Sequence, residues 1–460
     1  MSAPNPAPYS RPYRPRSIFG PLVLITIGVL FLLRNIGVIS YHSLGWWFLH
    51  YWPVVLIVWG AAKLVEYFWA QHKGYPTPRL GAGGIVFLVF FIMCGMTATG
   101  ISNLNLKGLG DELGNDPNID FFGDIFGANY AFTDNFAQPL EKATQIKVLC
   151  RLGDINVTPS QDDQAHAFVH KNLRSDSQES ANRLNDSTHA KFQQQGSTWI
   201  LDLTSGEYER GRFNLDLQLP RNAVLSLSTR RGNITVSERT SSLDLSTDRG
   251  DVSVEQVTGD ASVHLKHGSL TAKKITGNVS VDGTVNDSTI SDVGGTLTLT
   301  GTYWGDMQLA RIAKQTHFSS SRTDLQFARL DGEFNMEPDS LHATTITGPF
   351  KLDTRSKSVH LDDVSGDVHI DNRNASVEVR PKGPLGNIDV SNVHGEIDVN
   401  LPANAGFQLD AQSIGGVVQS DFSVSVDNSG RNATAKGTVG KGGPEVRLKA
   451  DHGTIQIRKQ

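Results

Sequence analysis

The chain has 460 residues and a net charge of −5 with both signs mixed, so it has room for more than one domain and lacks the broad basic field that nucleic-acid binding needs. Its two cysteines, Cys94 in an apolar run and Cys150 near the start of a strand-rich region, exclude a disulfide framework. Cys150 reads either as a buried thiol or as an intermolecular cross-link. Composition is split along the chain. Five of the seven tryptophans lie between Trp46 and Trp69, long uncharged runs fill residues 17–106, and the remainder is rich in Gly, Ser, Thr, Asp and Val.

Residues 1–16, with Pro4, Pro6, Pro8, Pro12 and Pro15, read as a disordered cytoplasmic tail. Three apolar runs follow, predicting transmembrane helices over about 17–39, 44–69 and 81–102. The first depends on Arg34 reaching the interface. No small-residue cleavage site follows it, so it reads as an uncleaved anchor. Trp46, Trp47, Tyr51 and Trp52 open the second run, and Tyr67 and Trp69 close it, as interfacial aromatic belts do. Arg11, Arg14 and Arg16 in the tail, and Lys73 and Arg79 after the second run, outweigh Arg34 between the first two. Positive residues stay in the cytoplasm. The expected location is the bacterial inner membrane, multi-pass, with everything after about residue 102 extracytoplasmic.

Residues 103–140 are expected to be a linker. Its aromatics, Phe121, Phe122, Phe126, Tyr130 and Phe132, suit either a segment resting on the membrane or one docked on the domain that follows. Residues 141–222 read as strands with one short helix. Ile146, Val148 and Cys150 alternate, Gly153-Asp154 turns the chain, and Ile155 and Val157 resume. Asp176-Ser-Gln-Glu179 fits a capping box for a helix within 176–191 carrying Ala181, Leu184 and Ala190. Strands resume at Trp199–Leu203 and Phe213–Leu219.

Over 223–460 a phrase recurs: Val257-Thr-Gly-Asp-Ala-Ser-Val263, Ile275-Thr-Gly-Asn-Val-Ser-Val281, Ile346-Thr-Gly-Pro-Phe-Lys-Leu352, Val364-Ser-Gly-Asp-Val-His-Ile370 and Val393-His-Gly-Glu-Ile-Asp-Val399. Gly250, Gly259, Gly268 and Gly277 are nine residues apart, and Gly232–Gly250, Gly277–Gly295 and Gly348–Gly366 are eighteen apart. Such a period marks stacked repeats. Apolar pairs alternate with polar residues: Ile234/Val236, Leu243/Leu245, Val252/Val254, Val279/Val281, Leu297/Leu299, Val368/Ile370, Ile388/Val390 and Ile455/Ile457. Each strand has one apolar and one wet face, and stacking buries the apolar one. The expected fold class is a membrane-anchored, mostly β protein: transmembrane helices followed by a β-solenoid (β-helix-like) with one short helix near its start. A coil of eighteen residues would hold two strand-turn halves. The competing arrangement is a series of antiparallel sheets.

No chemical constellation emerges. The Gly-Asp pairs at 153–154, 250–251, 259–260 and 366–367 carry too few acids per turn for the calcium nonapeptide repeat. His264, His267, His317, His342, His360, His369, His394 and His452 are dispersed, with no zinc spacing, and His264 and His267 are the closest in sequence. No carboxylate pair stands out for glycoside hydrolysis, and no nucleophile elbow, phosphate loop or dinucleotide fingerprint occurs. No catalytic, cofactor-binding or metal residue is assigned, and no cofactor is expected.

Gly20-Pro-Leu-Val-Leu-Ile-Thr-Ile-Gly-Val-Leu-Phe-Leu-Leu-Arg-Asn35 and Trp52-Pro-Val-Val-Leu-Ile-Val-Trp-Gly60 resemble the transmembrane region shared by LiaI and LiaF proteins, over roughly residues 17–70. That resemblance implies a part in envelope-stress signalling. Ile146-Lys-Val-Leu-Cys-Arg-Leu-Gly-Asp-Ile-Asn-Val-Thr-Pro159 and the Gly-Asp-Val-Ser-Val type repeats resemble the bacterial putative-adhesin domain, over 140–460, a family that offers no catalytic residues. Together they imply a non-enzymatic cell-envelope protein whose partners are the lipid bilayer and a membrane sensor protein or an envelope polymer, with no nucleic acid. A carbohydrate-active β-helix enzyme is the alternative from another class. A groove collecting carboxylates and basic groups would favour it, and an evenly polar surface would favour binding.

Overall fold

The computed structural model describes residues 128–140 and 145–460, apart from 163, 176 and 205, together with scattered helical positions between 53 and 93. The expected tail and most of the expected spans at 17–39, 44–69 and 81–102 lie outside the described residues. Among the described residues no helix is long and apolar enough to cross a membrane. The chain divides into two compact units: residues 1–130 with 174–182, and residues 131–173 with 183–460. The second is the β domain.

Its central part is a two-sided coil. Val224–Arg231, Leu243–Arg249, Ala261–Leu265, Val279–Val285 and Leu297–Tyr303 pair in parallel, each strand with the one a coil later. Leu225, Leu243, Ala261, Val279 and Leu297 are in register, eighteen residues apart. Ile234–Arg239, Val252–Val257, Leu270–Ile275, Ser288–Val293 and Met307–Ile312 form the second sheet in the same way. Alternation puts every apolar pair named above in the core. A chain that steps back over itself every eighteen residues therefore lines one continuous interior with Val, Leu and Ile.

Two corner devices make the coil close. At the first, Gly153, Gly232, Gly250 and Gly268 stack with φ between +146° and +152°. A Cβ on Gly250 would lie 2.0 Å from the carbonyl oxygen of Gly232, so no side chain fits. Beside this ladder the Asp or Asn that follows Gly153, Gly232 and Gly250 caps the next coil. Asp154 Oδ1 accepts the Asn233 amide, Asn233 Oδ1 accepts that of Asp251, and Asp251 Oδ1 accepts that of Ser269, each at 2.8 Å. At the second device Glu238, Gln256, Lys274 and Asp292 take φ of 53°, 59°, 56° and 59°. The left-handed residue breaks the period of two, so that two neighbours face water and the next residue, Val257, Ile275 or Val293, turns back into the core.

The simple stacking of successive coils fails in three places. Residues 307–354 form a seam. Met307–Ile312 and Arg329–Met336 pair antiparallel, as do Thr316–Ser319 and Thr323–Phe327, and Thr323–Phe327 pairs antiparallel with Phe350–Thr354. The competing antiparallel arrangement is thus realised locally, and parallel coils resume through Ser358–Asn374 and Val377–His394. At one end of the stack Gln145–Leu152 lies between Thr198–Leu203 and Val224–Arg231, parallel to both. At the other, Glu445–His452 lies between Val377–His394 and Phe407–Ile414, and Ile455–Lys459 between Ile397–Leu401 and Val418–Ser420. Each outer pair caps a pair distant in sequence.

The expected linker is partly strand. Ala128–Pro139 pairs with Gln164–Ser175, and Phe132 and Phe136 pack on the core. For Phe132, docking on the following domain is therefore what occurs, and Phe121, Phe122 and Phe126 lie outside the described residues. The helix is Gln178–Ser187, shorter than 176–191. Its cap is Ser177, whose Oγ accepts the Ser180 amide at 3.2 Å, rather than Asp176, which lies outside the described residues. Leu184 joins the core, and Ala190 does so from beyond the helix end. Cys150 is buried, with burial pushing its thiol up to about 11.

Candidate binding face

Because strands stack in register, outward residues from successive coils form straight rows. One row runs through the stack from Asn156 to Gln456: Asn156, Thr235, Ser253, Thr271, Thr289, Gln308, Asn335, His342, His360, Glu378, Asp398 and Gln456, each opposite the next. Before the seam it carries hydroxyls and amides. After the seam it carries imidazoles and carboxylates.

The second half is a network. The rings of His342 and His360 meet edge to face at 5.6 Å. His360 Nε2 lies 2.7 Å from Glu378 Oε2, and His342 Nε2 lies 3.3 Å from Asp362 Oδ2. Arg380 joins the two acids, 3.4 Å from Asp362 and in contact with Glu378. Arg458 lies 3.5 Å from Asp398. Burial raises the Asp398 carboxyl above its usual range, against the pull of Arg458, with Glu378 and Glu396 pushing the same way as burial. Its Oδ1 is buried and has no hydrogen-bond partner among the described residues.

The opposite sheet brings Asp324, Asp353 and Asp371 into one row of its own. Like charges directly opposite are unfavourable. His317 lies 3.7 Å from Asp324, and His369 lies 3.2 Å from Asp371 and 3.4 Å from Asp389. Among the described residues no three His, Cys, Asp or Glu side chains converge as a metal ion requires.

The eight histidines named from the repeat region are less dispersed in space than in sequence. His342 meets His360, and His394 stacks on His452 at 5.1 Å, whereas His264 and His267, close in sequence, are not paired with each other. The four Gly-Asp acids serve structure. Like Asp154 and Asp251, Asp260 Oδ1 accepts the Asn278 amide at 2.7 Å and Asp367 Oδ1 accepts the Asn387 amide at 2.8 Å. The Glu378–Asp398 grouping was not read from the sequence. Its signal was there: His342, His360, Glu378 and Asp398 are separated by eighteen, eighteen and twenty residues, one coil each time.

A family model described as Toastrack DUF4097 matches residues 144–458. The chain belongs to the Toastrack DUF4097 family. A second model, the LiaI-LiaF-like transmembrane region, matches residues 18–64, so the Toastrack domain follows a transmembrane region, the make-up of a cell-envelope protein. No curated protein matches the chain. Among solved structures the Toastrack chain is similar to a "putative cell adhesion protein" from Clostridium sporogenes at 13% identity, covering 72% of this chain and 100% of the other, with a TM-score of 0.15. It is also similar to a "putative adhesin" from Bacteroides fragilis at 12% identity, covering 72% and 97%, with a TM-score of 0.18. Scores this low add nothing to the fold seen directly in the Toastrack domain.

Proposed function

We propose that this protein is a non-enzymatic, membrane-tethered binding protein of the bacterial cell envelope. In this reading it is a multi-pass protein of the inner membrane, and its Toastrack domain lies outside and engages an envelope polymer or a membrane partner. The LiaF-like helices would link that engagement to envelope-stress signalling. The observation that carries the reading is the unbroken outward row, whose imidazoles and carboxylates past the seam are paired with one another or with Asp362 and Arg458 beside them. A long, self-paired surface suits contact with an extended partner, and tethering sets its local concentration. The test is complementation of a deletion strain. Asp251→Ala, Asp367→Ala, His264→Ala and His369→Ala should each retain function. A secreted 128–460 fragment, which keeps the strand Ala128–Pro139, should not. Full complementation by that fragment would sink the tethered reading.

The second reading is a carbohydrate-active enzyme, favoured by one observation: Glu378 and Asp398 are opposite each other, and burial holds the Asp398 carboxyl up as a general acid requires. It predicts that Asp398→Asn abolishes reducing-end release from envelope polysaccharide while the protein stays folded. No release from the unaltered protein would remove this reading.

A further inference from the structure

The coil that ends the first half of the stack is one residue too long. Val285 is opposite Tyr303, eighteen residues on, but Ser288 is opposite Met307, nineteen on. The extra residue falls in the stretch that holds Trp304, which is 69% exposed. A large indole displayed in water forgoes the burial that aromatic side chains normally gain. Two residues further on, Asp306 lines a concavity of about 430 Å³ that opens over the antiparallel seam.

The same concavity is lined by Gln308, Glu333, Asn335, Glu337 and His342, the point where the outward row changes from hydroxyls to imidazoles. No Lys or Arg lines it. Among the described residues neither Asp306 nor Glu333 has an ion-pair partner; the Glu337 carboxylate accepts the Ser340 hydroxyl at 3.2 Å, and the Glu337 backbone carbonyl accepts Lys357 Nζ. Acceptors and amides are thus gathered in a hollow, and an aromatic face stands close by in the chain. That combination suits a sugar ring: the C–H face lies on an aromatic plane, and the hydroxyls donate to carboxylates and exchange with amides. Three carboxylates line the hollow, against one ammonium, Lys357, beside Glu337 and an Arg311 already paired with Asp292, so a sugar carrying carboxylate or phosphate is disfavoured.

We infer that Trp304 and the seam concavity beside Asp306 bind an uncharged, hydroxyl-rich sugar unit of an envelope polysaccharide. This rests on the tethered-binding reading and gives its ligand a chemical class. The test is calorimetric titration of the detergent-solubilised full chain with three probes: tetra-N-acetylchitotetraose and a dextran oligosaccharide as neutral glycans, and oligogalacturonate as the anionic one. At least one neutral glycan should bind, oligogalacturonate should bind at least tenfold more weakly, and Trp304→Ala should weaken neutral binding at least tenfold. Glu333→Gln should weaken it too. Ser280→Ala, on the other sheet, should leave it unchanged, and melting of Trp304→Ala should match the parent because the side chain is exposed. No binding of either neutral glycan, equal binding by Trp304→Ala, or preference for oligogalacturonate would each overturn the site. Trp304 burying itself instead in phosphatidylglycerol vesicles, read as vesicle binding lost in Trp304→Ala, would also overturn it. If Trp304→Ala loses sugar binding yet still complements the deletion strain, the site exists but the tethered function runs through another surface. If complementation fails for every anchored form, the tethered reading falls by itself.

Discussion

At the glycine corners of the coil two adjacent residues divide the work at Gly153-Asp154, Gly232-Asn233 and Gly250-Asp251, a glycine that lets backbones touch and an Asp or Asn that caps the next coil. The capping bond of Asp251 is part of a chain that links Asp154, Asn233, Asp251 and Ser269. Hydrogen bonds to a charged acceptor contribute about 1.5–3 kcal/mol, less when exposed. Asp251→Ala should therefore cost about 1–2 kcal/mol in chemical denaturation, whereas Asp251→Asn should cost less than about 0.5 kcal/mol, because Asn233 already plays the part and Asn278 Oδ1 likewise accepts the Thr296 amide at 2.9 Å. Equal losses would mean that the carboxylate does something other than cap. Strand alternation gives a second residue-level outcome. Val281 is 1% exposed and its neighbour Ser280 faces water. Val281→Asp buries a charge without a partner and should cost roughly 3–5 kcal/mol, while Ser280→Asp should stay within about 0.5 kcal/mol. Comparable melting of the two variants would contradict the inward and outward assignment.

Among the elements, the strand Ala128–Pro139 is held by more than its ladder. Asp134 on it meets the buried Lys171 at 2.5 Å, and Lys171 Nζ also donates to Asn185 Oδ1 at 3.1 Å. His189 Nδ1 and the Ala190 amide approach the same Asp134 oxygen at 3.3 and 3.4 Å. Removing one member of a buried pair leaves the other charge uncompensated, at about 3–5 kcal/mol. Asp134→Ala should lower the melting temperature, and hydrogen exchange should show protection lost first in Ala128–Pro139. Unchanged exchange there would mean that the strand is held by packing alone.

What was legible in the sequence follows the same division by scale. The inward residues, the eighteen-residue coil and the helix near 180 all leave local patterns, since alternation and period act between near neighbours. The insertion of Gln145–Leu152 and Glu445–His452 between coils leaves none. Their partners are far along the chain, and a strand between two neighbours has the same inward and outward pattern as one at an edge. The seam was hidden for a related reason, because parallel and antiparallel ladders bury the same side of a strand. The strand Ala128–Pro139 was missed because its half-buried pattern of Phe132 and Phe136 is set among polar residues.

For the whole molecule, the prediction concerns sidedness. The arginine-rich tail and the matched transmembrane region place the Toastrack domain outside in the proposed topology. Cys150 is too deeply buried to report on this. A cysteine engineered at the exposed Ser280 should be labelled by a membrane-impermeant maleimide once the outer layer is permeabilised. Labelling that requires rupture of the inner membrane would reverse the topology.

Two strands near the ends of the β domain, Gln145–Leu152 and Glu445–His452, lie inside the stack, and this fixes how that stack would carry a pull. Tension from the N-terminal side, once past the edge strand Ala128–Pro139, meets Gln145–Leu152, a strand bonded on both flanks, to Thr198–Leu203 and to Val224–Arg231. Its ladder bonds would be loaded together, in shear. An edge strand pulled from one end opens one bond at a time, like a zipper. The far end repeats the arrangement, with Glu445–His452 clasped between two neighbours. A stack built this way yields late under traction, a property that would serve the tethered binding proposed above.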